Sequence, residues 1–220
     1  MTTAPPMPQM PPQAPAPQPQ GRRRAGTTTI VAALVAALLA AGLGAWWWTR
    51  DGDGDPLAGR PRVTDAKAGL SYGIPQGWKR PDKGKDDLID AFTSTISKAG
   101  KDEDEAGQEV GATVLAGRSD PVPEPALKSR TESAARSNAE FFFPNGSSRR
   151  EESKATTVDG RPAHTVALAV QDGEGGTAHL RLTVITVDDG RTAFLLGIAM
   201  PGTSPEKQTV DDVLASASTG

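Results

Sequence analysis

Between Thr27 and Trp48 the chain carries no charge and is built almost wholly of Ala, Leu, Val, Gly and Thr, closing on Trp46, Trp47 and Trp48. Arg22, Arg23 and Arg24 stand immediately before it. Roughly 20 helical residues at about 1.5 Å each cross a hydrocarbon core of about 30 Å, and only a segment that pairs its own backbone can lie there. The reading is a single transmembrane helix over 27–48. Arg22, Arg23 and Arg24 hold the N-terminus in the cytoplasm, while Trp46, Trp47 and Trp48 sit in the outer interfacial belt. A cleaved signal peptide is the alternative. It is disfavoured by the length of the apolar run and by tryptophans where a cleavage site needs small residues. Small residues at Ala32, Ala36, Ala40 and Gly44 give the helix a face that permits self-association.

The span divides the charge. Residues 1–50 hold four of the 24 basic residues and none of the 27 acidic ones, leaving 20 against 27, a formal −7, in 51–220. An exported domain this acidic argues against nucleic acid and against anionic headgroups as partners. With no cysteine it has neither a disulfide framework nor a lipid anchor, and it must be stable on packing alone. Residues 1–26 are expected to be a disordered tail, with prolines at Pro5, Pro8, Pro12 and Pro15 in PxxP spacing. Residues 49–67 are expected to be a linker. Asp51, Asp53 and Asp55 resemble the start of a calcium loop, but Pro56 and Arg62 occupy the positions that need Gly and a bidentate Glu.

Residues 68–220 read as an α+β domain, an antiparallel sheet sandwiched by helices. Leu70, Tyr72 and Ile74 alternate as a strand that Pro75 and Gly77 stop. Residues 87–98 fit either helix or strand, and Val110–Ala116 is a strand. Pro123–Phe143 is a helix whose inner face would be Leu127, Ala134, Ala135, Phe141 and Phe142. Strands follow at 153–158, 162–170, 178–187 and 192–199, the last apolar on both faces and so central. Asp188-Asp189-Gly190 and the glycines at 173–176 supply hairpin turns. Ser204 and Pro205 start a closing helix with Val210, Val213, Leu214 and Ala217 at helical spacing.

Leu70-Ser-Tyr-Gly-Ile-Pro-Gln-Gly-Trp78, the 123–143 helix, Val158-Asp-Gly-Arg-Pro-Ala-His164 and the strands running to Met200-Pro201 resemble the PsbP/Mog-type α/β/α sandwich, in particular the actinobacterial LpqN-type exported proteins. The resemblance covers about 68–218. It implies a binding or assembly scaffold and brings no catalytic residue set.

Chemistry is sparse. His164 lies on the inward register of its strand near the strand's start, where a satisfied histidine at a core edge is the simpler reading. His179 shares the polar register with Arg181 and is expected in solvent. No zinc-ligand spacing, nucleophile elbow or phosphate loop occurs. Asp102–Glu105 is a charge run of the solvated kind, Asn145-Gly-Ser147 is a formal glycosylation acceptor, and Trp78 reads as packing against the sheet. The expectation is a membrane-anchored extracytoplasmic accessory domain of the bacterial cell envelope. It would bind an envelope protein, glycan or lipid, with no catalysis, cofactor or metal. The alternative is an envelope hydrolase built on His164 and a carboxylate.

Overall fold

The computed structural model describes residues 55–80, 92–98, 111–188, 190–203 and 205–220, all within one unit running Gly54–Gly220. The expected span over 27–48, with Arg22, Arg23, Arg24, Trp46, Trp47 and Trp48, lies outside the described residues, as do Asp102–Glu105 and Ser204. No helix among the described residues is long and apolar enough to cross a membrane.

In chain order the strands are β1 (Arg62–Asp65), β2 (Leu70–Gly73), β3 (Phe92–Lys98), β4 (Gly111–Ser119), β5 (Ser147–Val158), β6 (Arg161–Gln171), β7 (Thr177–Asp188), β8 (Arg191–Met200) and β9 (Ser218–Thr219). The helices are α1 (Leu127–Phe142) and α2 (Pro205–Ala215). A six-stranded antiparallel sheet has the order β3-β4-β8-β7-β6-β5. Strand β8 is central, as its two-sided apolarity requires. The four strands from β5 to β8 form a meander. Its first turn is Asp159-Gly160, both residues at positive φ (49° and 74°), which suits a two-residue hairpin of right-handed twist.

Both faces of this sheet are covered, which explains why its inner strands bury residues in both registers. On one face α1 lays Leu127, Ala135 and Ala139 over Val166, Leu168, Leu180, Leu182 and Leu196. On the other, α2 sets Val210, Val213 and Leu214 against Leu195, Ala199 and Ile185, beside Val63, Leu70 and Tyr72 of a second sheet, β1-β2-β9. Gly197 makes the close approach of α2 possible: a Cβ there would come 2.3 Å from Val210 Cγ1.

Three expectations need correction. Strand β1 falls inside the segment read as a linker; four residues with only Val63 and Asp65 turned inward give too short a pattern to recognise. The buried face of α1 is Leu127, Thr131, Ala135 and Ala139, whereas Phe141 is 61% exposed. A row of small residues lets the helix lie close to the sheet, and the Thr131 hydroxyl is satisfied by donating to the Leu127 carbonyl at 2.7 Å. Phe141, on the last turn, packs edge to face on Phe142 instead. Finally, α2 ends at Ala215, before Ala217, and the chain then turns into β9.

Asp65 ties the small sheet to the large one. Its carboxylate accepts from the Ser94 hydroxyl at 2.6 Å, the Thr93 hydroxyl at 2.5 Å and the backbone N–H groups of Ala68 and Lys67 at 3.0 and 3.1 Å. Burial by itself raises the pKa of this group. The four donors outweigh burial and hold it below the ordinary value of 3.8. Tyr72, whose hydroxyl meets Ser94 at 2.9 Å, is pushed up to about 12, chiefly by burial.

Candidate functional site

The first turn of α1 and the outer hairpin β5–β6 enclose a cleft of about 510 Å³. Glu124, Leu127 and Lys128 form its helical wall. Ser153, Ala155, Thr156 and Thr157 line it from β5, and Pro162, Ala163 and His164 from β6. The short helical turn Glu124–Ala126 leads directly into α1, so the prolines at 123 and 125 set where this wall begins. In the β5–β6 ladder His164 stands opposite Ala155 and Ser153 opposite Val166. The pleat therefore puts His164, Ser153 and Val166 on the face that α1 covers.

Two of the lining side chains, Ser153 and His164, connect with Glu132 of α1. Ser153 Oγ donates to Glu132 Oε1 at 2.7 Å, and His164 Nε2 lies 2.9 Å from the same Oγ. A carboxylate only accepts, and the hydroxyl has one proton, so that proton points to Glu132 and the imidazole must be the donor to Ser153. The chain runs from His164 Nε2–H through Ser153 to Glu132. Arg150 closes it with an ion pair to Glu132 at 2.9 Å. Glu132 is held below its usual pKa of 4.5 first by the Ser153 hydrogen bond, with Arg150 reinforcing it against partial burial. His164 is buried, and burial lowers its pKa below 6.5; Lys128 adds to this and Glu132 opposes it. A neutral imidazole donating through Nε2 fits that direction.

The inward placement of His164 agrees with its register. The expectation for His179 is overturned: it is 1% exposed. The register assignment was sound, but the second face of β7 is roofed by α2 rather than by water. His179 Nε2 meets Asp211 Oδ1 at 3.1 Å, leaving Nδ1 without a hydrogen bond and 4.0 Å from Glu151 Oε2. Arg181 Nε approaches the same Asp211 oxygen at 2.8 Å without hydrogen-bond alignment, while its Nη2 donates to Glu152 Oε2 at 2.7 Å. Lys207 on α2 reaches Glu151 at 3.1 Å. This network pins α2 across β5 and β7. Trp78 is buried in the core beside Ile96 and Val114, as a packing role requires.

Sequence reasoning missed Ser153 and Glu132. They lie 21 positions apart on different elements, and a serine in a Thr-rich strand or a glutamate on a charged helix carries no local mark. No group of three metal-type ligands occurs among the described residues.

With this geometry in view, the chain can be compared with known proteins. No protein-family model matches it, and no curated protein matches it in sequence. Solved structures do. The Ran-binding protein Mog1p of Saccharomyces cerevisiae aligns with a TM-score of 0.52 at 11% identity, over 72% of this chain and 94% of that one. The fold is of the PsbP/Mog type. PsbP (CyanoP) of Synechocystis aligns at 0.48 with 17% identity, over 73% of this chain and 92% of its own. LpqN of Mycobacterium tuberculosis, involved in cell envelope biogenesis, aligns at 0.46 with 12% identity, over 73% and 90%. At these identities the PsbP/Mog likeness speaks to architecture alone.

Proposed function

We propose that residues 55–220 form a non-catalytic binding domain of the bacterial cell envelope, held outside the membrane by the Arg22–Trp48 segment as a single-pass anchor. The observation that carries this reading is the direction of the hydrogen bonds in the cleft. In a nucleophilic serine site the histidine accepts the serine proton. Here Ser153 spends its proton on Glu132, and the imidazole donates to it. Glu132, held acidic and paired with Arg150, is a poor base. The cluster therefore fixes the shape of a cleft with an apolar wall of Leu127, Ala155 and Pro162 and a polar floor. Mog1p, a Ran-binding protein, is an instance of this fold used for binding. The net charge of −7 in residues 51–220 favours a neutral or cationic partner for the domain as a whole.

A fluorophosphonate reagent tests the assignment, since it labels only serines made nucleophilic by a base. The full chain in detergent is expected to stay unlabelled at Ser153. Labelling at Ser153 that disappears in His164→Gln would establish the hydrolase reading instead.

A further inference from the structure

A second cleft, of about 580 Å³, opens where three loops of distant sequence meet. Lys67 comes from the β1–β2 turn, Arg118 and Asp120 from the end of β4, and Gly190 and Arg191 from the β7–β8 hairpin. We propose that it binds a phosphate group, either free or on a lipid headgroup. The site is separate from the Ser153–His164 cleft, so its failure would leave the reading of that cleft untouched.

Charge is the first argument. Residues 51–220 carry a formal −7, yet three cations line this one cleft. Lys67 and Arg118 are exposed and make no ion pair among the described residues. Arg191 is ion-paired with Asp188, which accepts from its Nε at 2.5 Å and orients the guanidinium. Asp188 also accepts the Gly190 N–H at 3.0 Å, which fixes the hairpin that presents the arginine.

Shape is the second. Gly69 has a φ of +70°, and a Cβ there would lie 2.9 Å from Val187 Cγ1 and 3.5 Å from Arg191 Nη1. The Arg191 guanidinium thus rests against bare backbone, and the β1–β2 turn and β7–β8 hairpin close into one wall. Two guanidinium groups and an ammonium from separate loops suit an oxyanion with several acceptor oxygens, which Arg binds through a fork and Lys as a point charge.

The test uses the full chain in nonionic detergent, with amide shifts of Ala68, Gly190 and Thr192 as readout. Titrants at constant ionic strength are inorganic phosphate, short-chain dihexanoylphosphatidylglycerol and acetate. Saturable phosphate shifts, weakened at least tenfold in Lys67→Ala/Arg118→Ala but not in the surface control Arg136→Ala, support the proposal. The lipid binding at least tenfold tighter than phosphate identifies a headgroup as the source; the reverse identifies free phosphate. Either order keeps the site. Absence of saturable shifts with both phosphates, equal shifts with acetate, or full binding by the folded double variant overturns it. Far-UV circular dichroism confirms that the double variant is folded.

Discussion

Replacing Asp65 separates two contributions to the joint between the small and large sheets. Asp65→Ala removes four hydrogen bonds to a charged group that is 4% exposed. Bonds of this kind are each worth about 1.5–3 kcal/mol. Two losses are partly recovered: Ser94 keeps Tyr72, and Thr93 has the Ala116 carbonyl at 3.4 Å. The expected net cost of Asp65→Ala is about 3–5 kcal/mol, a large share of the stability of a domain of this size. Asp65→Asn keeps an acceptor for the two backbone donors and lets the hydroxyls rotate, so it should cost only about 1–2 kcal/mol. The sign with pH follows from linkage. Because folding lowers the pKa of Asp65 below 3.8, its contribution is present above 3.8 and is lost as pH falls through the folded value. Urea unfolding followed by far-UV circular dichroism, for wild type, Ala and Asn variants, reads all three quantities. Above the carboxylate range the order of stability should be wild type, Asn, Ala, and the gap between wild type and Asn should close in acid. An Ala variant within about 1 kcal/mol of wild type, or a gap independent of pH, would refute the reasoning.

Other positions give simpler tests. Gly197→Ala should destabilise by about 2–3 kcal/mol through overpacking against Val210, and Val210→Ala in the same chain should restore part of the loss in thermal unfolding. Asp211→Ala takes the hydrogen-bond partner from a buried histidine and the ion-pair partner from a partly buried arginine. A cost of about 2–3 kcal/mol is expected, with hydrogen exchange accelerating first in α2. Phe141→Ala, on the exposed side of α1, should cost under about 1 kcal/mol, while Ala135→Leu on the buried side should cost about 1–3.

Much of the six-stranded sheet was legible in the sequence, and the reason is physical. The glycine-rich turn at 173–176, a two-sided apolar run at 192–199 and strict alternation at 162–170 are local signals that a meander of adjacent strands converts directly into structure. The PsbP/Mog resemblance followed from the same segments. The small sheet was not legible, because β1 and β9 are four and two residues long and gain their stability from partners distant in sequence. The faces of α1 and the fate of His179 share a different cause. Hydrophobicity alone assigned Phe141 inward and His179 outward. The structure buries Thr131 and His179 because each finds a hydrogen-bond partner, and it exposes Phe141 because a close helix–sheet contact favours alanine. The cleft was half legible: His164 stood out, but Ser153 and Glu132 acquire meaning only through contact.

The account of the cleft rests on which atom holds one proton. Nitrogen-15 NMR of His164 in the full chain, recorded across the imidazole titration range, measures it most directly. A neutral ring protonated at Nε2, titrating below 6.5 because it is buried, with the Nε2 proton shifted by its bond to Ser153, is the predicted result. A ring protonated at Nδ1, with Ser153 donating to Nε2, would contradict the account and make Ser153 a nucleophile with its base in place.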